Sequence, residues 1–179
     1  KPRNVLSAVE KEPGDDRNTV RDMVELPGHI FPVGRLDFES EGLILMTNDG
    51  QLANQLAHPS YEVEKLYVAK VKGVLTRVEI QRLKDGVRLE DGLAKADSAR
   101  ILDQNDAFTL VELVLHSGKN RIVRRMMEAV GHPVIDLTRK SFGPLRLANL
   151  KAGQFRELSK LEVSSLMQVG QAGEKSRRR

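Results

Sequence analysis

Arg35 and Asp37 stand two positions apart in Phe31-Pro32-Val33-Gly34-Arg35-Leu36-Asp37-Phe38-Glu39-Ser40-Glu41-Gly42-Leu43, between a short apolar run and the denser run Leu43-Ile44-Leu45-Met46. Gly34 and Gly42 bracket the polar part, so the pattern predicts a loop pinned by two flanking strands. A carboxylate held on a loop over a rigid scaffold can act as nucleophile or general base. The same residues also allow a surface turn closed by a local Arg35–Asp37 ion pair. A third reading is calcium, because Asp37-x-Glu39-x-Glu41-Gly42 resembles the opening of an EF-hand loop. Its last ligand place, normally a bidentate Glu, is Asn48, and Pro32 argues against an entering helix.

Ser117-Gly118-Lys119-Asn120-Arg121-Ile122-Val123-Arg124-Arg125-Met126-Met127 is the second stretch with chemical content. Read as a helix from Arg121 to Val130, it buries Ile122, Val123, Met126, Met127 and Val130. Arg121, Arg124, Arg125 and Glu128 then share the opposite face at i, i+3, i+4 and i+7. Arg121 and Arg125 repel each other at that spacing, by roughly a few tenths of a kcal/mol. Cations in a first helical turn also oppose the helix dipole. Both penalties point to an anion at this helix start, phosphate or carboxylate, with Gly118 leaving backbone N–H groups approachable. The plain alternative is a solvated basic face whose arginine stems cover apolar surface. Tyr67 is one of two tyrosines in a chain without tryptophan. By default it is half-buried sheet packing, with base stacking as the functional option.

These stretches need a scaffold, and 179 residues suffice for one domain, or one domain with a small lobe. At 40% hydrophobic and 30% charged the chain can bury an ordinary core. It has no cysteine, which excludes disulfides and thiolate metal sites, and His29, His58, His116 and His132 show no metal-ligand spacing. No apolar run approaches the roughly 20 residues of a membrane span, and no secretory core opens the chain. Neither a metal, a cofactor nor a membrane is expected, and a reducing cytoplasm is compatible. The net charge of +4 is mild, but Lys119, Arg121, Arg124, Arg125, Arg139, Lys140 and Arg146 cluster in one part of the chain. Such a patch suggests a polyanion, most simply nucleic acid.

Strands are expected at Asn4–Val9, Ile30–Phe31, Leu43–Met46, Glu64–Val74, Lys95–Leu102, Phe108–Leu115 and Val134–Leu137. On the strand around Tyr67, alternation places Lys65, Tyr67, Ala69 and Val71 on one face. Helices are expected from a cap at Asn48 or Asp49 through His58, from the Thr76-x-x-Glu79 box through Lys84, over Arg121–Val130, and from Ser159-x-x-Glu162 through about Val169. Thr19–Val24 reads as a brief helix, and Gly170–Arg179 as a basic, mobile tail beyond a domain of residues 1–168. Interleaved elements with hairpin-like pairs favour a mixed or largely antiparallel sheet, hence an α+β fold.

Taken together, Gly34-Arg35-Leu36-Asp37 with Glu41-Gly42-Leu43, Thr47-Asn48-Asp49-Gly50, Glu64-Lys65-x-Tyr67, Gly118-Lys119-Asn120-Arg121-x-Val123-Arg124-Arg125-Met126, Gly143-Pro144-Leu145 and Gly153-x-Phe155-Arg156-x-Leu158 resemble the ribosomal-RNA pseudouridine synthases of the RsuA/RluB branch. The resemblance implies an α+β fold around a long mixed, mostly antiparallel sheet, with flanking helices and a cleft across its middle. It implies that Asp37 is the catalytic aspartate, that Arg124 pairs with it, and that Tyr67 packs on the target uracil. It further implies that Arg35 helps hold the duplex open once the base leaves. Members carry a small S4-type RNA-binding domain ahead of this region. The chain opens at Lys1-Pro2 without methionine and is expected to be a piece of a longer protein.

The implied reaction converts uridine in ribosomal RNA, expected to be of the large subunit, to pseudouridine. It needs a flipped base, an ionised carboxylate and exclusion of water, and neither metal nor cofactor. Lys119, Arg121, Arg125 and Arg139 are expected to meet phosphates. The enzyme is expected to be a cytoplasmic monomer. Two other classes fit parts of the pattern. A catalytically silent RNA-binding domain would keep the basic face without needing Asp37. A metal-dependent nuclease would need Asp37, Glu39 and Glu41 gathered around an ion.

Overall fold

Caps and alternation account for most elements of the computed structural model, which describes the backbone of residues 1–177 and the side chains through Val169. A 3₁₀ turn at Arg21–Met23 precedes β1 (Phe31–Val33), β2 (Glu41–Gly42), β3 (Leu45–Thr47) and α1 (Gly50–Ala57). Then come β4 (Lys65–Lys72), α2 (Arg77–Asp85), β5 (Val87–Leu89), β6 (Gly92–Ala94), β7 (Ser98–Gln104) and β8 (Phe108–Leu115). The chain continues through α3 (Ile122–Ala129), β9 (Val134–Phe142), β10 (Leu145–Arg146) and α4 (Lys160–Arg177). Asp49 caps α1 by accepting from the Leu52 N–H at 3.0 Å. Thr76 and Glu79 close the capping box of α2, and Ser159 and Glu162 exchange the equivalent bonds before α4.

The main sheet runs β10-β9-β4-β8-β7, with β2 attached to β9. Every pair is antiparallel except β2 with β9. This is the mixed, mostly antiparallel α+β architecture that the pattern implies. Alternation buries Tyr67, Ala69 and Val71 of β4 and Val111, Leu113 and Leu115 of β8 on one face. They pack there with Leu83 of α2 and with Ile122, Val123, Met126 and Met127 of α3. A second core joins Val33, Leu45, Leu56, Phe142, Leu145 and Leu166.

Five local expectations are corrected. Asn4–Val9 is not a strand: its one ladder contact is an isolated parallel bridge between Leu6 and Thr19, and the segment bonds instead to the Gly34–Gly42 loop. Leu43 and Ile44 precede β3, because Leu43 donates its N–H to the Arg139 carbonyl rather than to β1. The span from Lys95 to Leu102 begins too early and misses a hairpin: β5 and β6 pair across Glu90-Asp91, and β7 starts at Ser98. The strand at Val134 runs on to Phe142, because β4 supplies a partner along nearly its whole length. Continuous helix reaches Arg177 rather than ending near Val169. The side chains beyond Val169, and Arg178 and Arg179 altogether, lie outside the described residues, and with them the expected mobile tail.

The β4–β9 register shifts between Leu66 and Tyr67, so that Leu66 faces Ser141 and Tyr67 faces Arg139. Lys140 is left over. The extra residue resets the alternation of β9 and turns both Arg139 and Phe142 inward although three positions separate them.

Candidate active site

The Gly34–Gly42 loop is held by the segment that was expected to be a strand. The Ser7 hydroxyl donates to the Leu36 carbonyl at 2.8 Å and accepts from the Leu36 N–H at 3.0 Å. The Asn4 N–H donates to the Phe38 carbonyl, and the Lys1 ammonium reaches the Ser40 carbonyl at 2.7 Å. Leu36 is buried in the main core, and a tight turn closes between the Ser40 N–H and the Asp37 carbonyl. Asp37, the residue after the buried leucine, is thereby fixed at the rim of a cleft with its carboxylate about one-fifth exposed.

The carboxylate faces two arginines from the start of α3. Arg124 Nε lies 3.6 Å from Asp37 Oδ2, and Arg121 Nη1 lies 4.0 Å from the same atom. Arg124 is largely buried and also donates to the Ser40 hydroxyl at 3.1 Å. Its Nε has no hydrogen-bond partner, so the pair with Asp37 is electrostatic and has room to tighten around a substrate. Burial, then the Arg121 charge, lowers the Arg124 pKa, and Glu39 and Asp37 oppose that shift. Glu39 is held below the usual carboxylate range by a backbone N–H and by Arg121, which bonds it at 3.0 Å.

Arg121 is not in the helix. It precedes α3 in the left-handed region, at φ +49°, so the expected four-cation face of one helix does not form. The anions expected at the helix start are nevertheless present, as carboxylates of the protein itself. Arg121 meets Glu39 and Asp37. Arg125 makes a bidentate pair with Asp91 at the tip of the β5–β6 hairpin, at 2.8 and 3.1 Å, and the Lys119 ammonium donates to the Asp91 carbonyl.

Asp37, Arg35, Lys119, Arg121 and Tyr67 line one cavity of about 110 Å³. That is room on the scale of a single-ring base, in a cavity that opens to solvent at its mouth. Arg35 is exposed at its edge and makes no ion pair with Asp37. Tyr67 is 8% exposed, more enclosed than the half-buried position expected, yet it remains part of the cavity wall. Lys65 and Arg139, which the sequence did not single out for this site, also line it. Lys65 shares the Tyr67 face of β4, and its ammonium donates to the carbonyls of Val63 and His116. Burial, helped by the Arg139 charge, lowers its pKa to about 8. Arg139 is 2% exposed, which overturns its expected place among the surface phosphate contacts. Its inward position on β9 was visible only through the bulge.

The three acidic side chains of the calcium and nuclease readings are engaged by other groups: Asp37 by Arg124 and Arg121, Glu39 by the same Arg121, and Glu41 by the Thr138 hydroxyl. Among the described residues no group of three His, Cys, Asp or Glu is placed to hold a metal ion.

What remains is one aspartate, ion-paired in a cleft whose walls hold a tyrosine and several cations. Residues 1–129 match the family model of RNA pseudouridylate synthases. The chain belongs to the RNA pseudouridylate synthase family. Among relatives, it is 43% identical to ribosomal large subunit pseudouridine synthase B of Bacillus subtilis (strain 168), covering 97% of this chain and 71% of that one. It is 40% identical to an uncharacterized RNA pseudouridine synthase of Aquifex aeolicus (strain VF5), covering 94% and 68%. Among solved structures, a crystal structure of pseudouridylate synthase superposes with a TM-score of 0.78 at 27% identity, over 93% of this chain and 70% of that one. An H/ACA RNP structure reaches 0.54 at 17% identity and shares the pseudouridylate-synthase fold alone.

Proposed function

We propose that this chain isomerises uridine to pseudouridine in ribosomal RNA, of the large subunit by analogy with the Bacillus relative, and that Asp37 is its catalytic residue. The observation that carries the reading is the Asp37 carboxylate, paired with Arg124 at 3.6 Å at the mouth of a base-sized cavity walled by Tyr67. A uridine turned out of its helix places its ring in the cavity and its ribose at the mouth, next to Asp37. The arginine holds the carboxylate aimed at the mouth of the cavity. Asp37 then acts on the ribose as N1–C1′ breaks, the base turns within the cavity, and C5 joins C1′. Exclusion of water keeps the cleaved pair from hydrolysis.

Arg35, exposed at the cavity edge, is suited to fill the gap that the flipped base leaves. Lys119, Arg121 and Arg125 surround the mouth and are the candidates for phosphate contacts. No helix among the described residues is long and apolar enough to cross a membrane, and the reading places the reaction in the cytoplasm, where ribosomal RNA is made.

The decisive experiment measures pseudouridine formation in large-subunit RNA fragments without divalent metal, for the wild type, Asp37→Ala and Asp37→Asn. The wild type should convert a specific uridine, and both variants should form no product while binding RNA with similar or slightly higher affinity, since an anion facing a polyanion has gone. Substantial turnover by folded Asp37→Ala refutes the assignment.

A further inference from the structure

Arg139 is a positive charge sealed in the wall of the cavity without a carboxylate partner among the described residues. Its Nε donates to the Leu43 carbonyl at 2.8 Å, and its guanidinium lies over the Phe142 ring at 5.3 Å. Nη2 is buried and has no hydrogen-bond partner. Burial drives its pKa down, and only Tyr67 opposes that shift. Lys65 presents a second inward cation on the same wall, equally without an acid. Folding a buried cation beside another, with no counter-charge, is costly, and a stem of the same shape without charge would serve packing better. The arrangement suits a site whose negative charge arrives with the ligand.

We propose that Arg139 is a further catalytic residue of this isomerase, neutralising the negative charge that collects on the uracil ring as it leaves the ribose. This rests on the function proposed above. When N1–C1′ breaks, its electron pair stays with the base and spreads over N1, O2 and O4. After the ring turns, C5 bonds to C1′, the C5 proton is released and N1 takes up a proton, so nothing is oxidised, reduced or lost. A small shift of the guanidinium toward the cavity brings the buried, unpaired Nη2 to a carbonyl oxygen of that anion. The exposed cations Arg35, Lys119 and Arg121 stand at the mouth of the cavity, whereas Arg139 is buried in its wall. Phosphates therefore belong to the mouth and the base to Arg139.

Arg139→Met, Arg139→Gln and Arg139→Lys test this in single-turnover reactions of the full chain on RNA carrying uridine or 5-fluorouridine at the target. Loss of the donor should slow cleavage of N1–C1′ roughly a hundredfold or more, with RNA affinity within about twofold of wild type because phosphates supply most of it. Fluorine withdraws charge from the ring, so its anion needs less help and the defect of the neutral variants should shrink on 5-fluorouridine. Arg139→Lys should recover part of the rate. If the Met variant fails to fold, the Gln variant, which keeps a polar donor without charge, carries the same comparison. Wild-type rates in a folded neutral variant overturn the proposal. So does an equal loss on both substrates, which means a structural role, or a loss of RNA affinity in place of rate, which means a phosphate clamp. A wild type inactive on every uridine-containing RNA refutes the parent function instead.

Discussion

At the scale of single residues, the site depends on groups whose only task is to hold others. Ser7 is the clearest: one hydroxyl both donates to and accepts from the backbone of Leu36, the residue before Asp37. Ser7→Ala should cost about 1–2 kcal/mol of stability and lower turnover while leaving RNA affinity unchanged, and Ser7→Thr should restore much of both; chemical unfolding and single-turnover rates check this. Lys65 shows the opposite economy, a charge kept where burial opposes it. Its folded pKa of about 8 lies below the ordinary 10.5. Between those values the unfolded chain binds more protons than the folded one, so stability rises with pH through that window, and below about 8 the penalty is carried in full. Lys65→Met should remove a rise on the order of 2–3 kcal/mol between about pH 8 and 10.5. The readout is the difference in slope between variant and wild type in urea unfolding, since Lys1 shifts in the same direction.

At the scale of elements, β2 and β9 bring the Asp37 loop against the strand that carries Arg139. The approach is close enough that a Cβ on Gly42 would lie 2.3 Å from the Arg139 carbonyl oxygen, and Gly42 sits at φ +118°. Gly42→Ala should therefore destabilise by roughly 2 kcal/mol or more and impair turnover, because strain is relieved only by parting the two elements. Gly34, at φ +68° with nothing within 4 Å of its would-be Cβ, bears the conformational penalty alone. Gly34→Ala should cost about 1–2 kcal/mol and far less activity. Melting curves and turnover of the two variants separate backbone preference from strand contact.

Over the whole molecule, the basic surface is partly neutralised before RNA arrives. Asp91, brought to the mouth of the cleft by the β5–β6 hairpin, holds Arg125 and Lys119 together. These pairs are solvent-exposed, so they add little to stability, and phosphates can take them over. Asp91→Asn should release Arg125 and loosen Lys119, which keeps its bond to the backbone carbonyl at this position, tighten RNA binding at low salt, and steepen the plot of log affinity against log salt by roughly one counterion. An unchanged slope, measured by titration at several salt concentrations, would show that neither cation meets the backbone of the RNA.

The sequence by itself determined most local elements and singled out the two polar stretches that meet at the cleft. The apolar stripe of α3, the caps of α1, α2 and α4, and the shared face of Lys65, Tyr67, Ala69 and Val71 are all set by neighbours a few positions away, and short-range periodicity records such constraints. Gly34-Arg35-Leu36-Asp37 and the Lys119–Arg125 run stood out for the same reason. Tertiary structure decided the rest. Leu6 and Ser7 follow the Gly34–Gly42 loop rather than a sheet, because the Ser7 hydroxyl bonds the backbone of Leu36 while the Leu6 N–H and carbonyl bond Asn18 and Val20. Arg121 leaves its helix for Glu39, and Arg125 finds Asp91 on a hairpin three strands earlier in the chain. Arg139 reads as one more member of a basic cluster until the bulge beside Lys140 turns it inward. A bulge is a mismatch between two strands, and only their pairing reveals it.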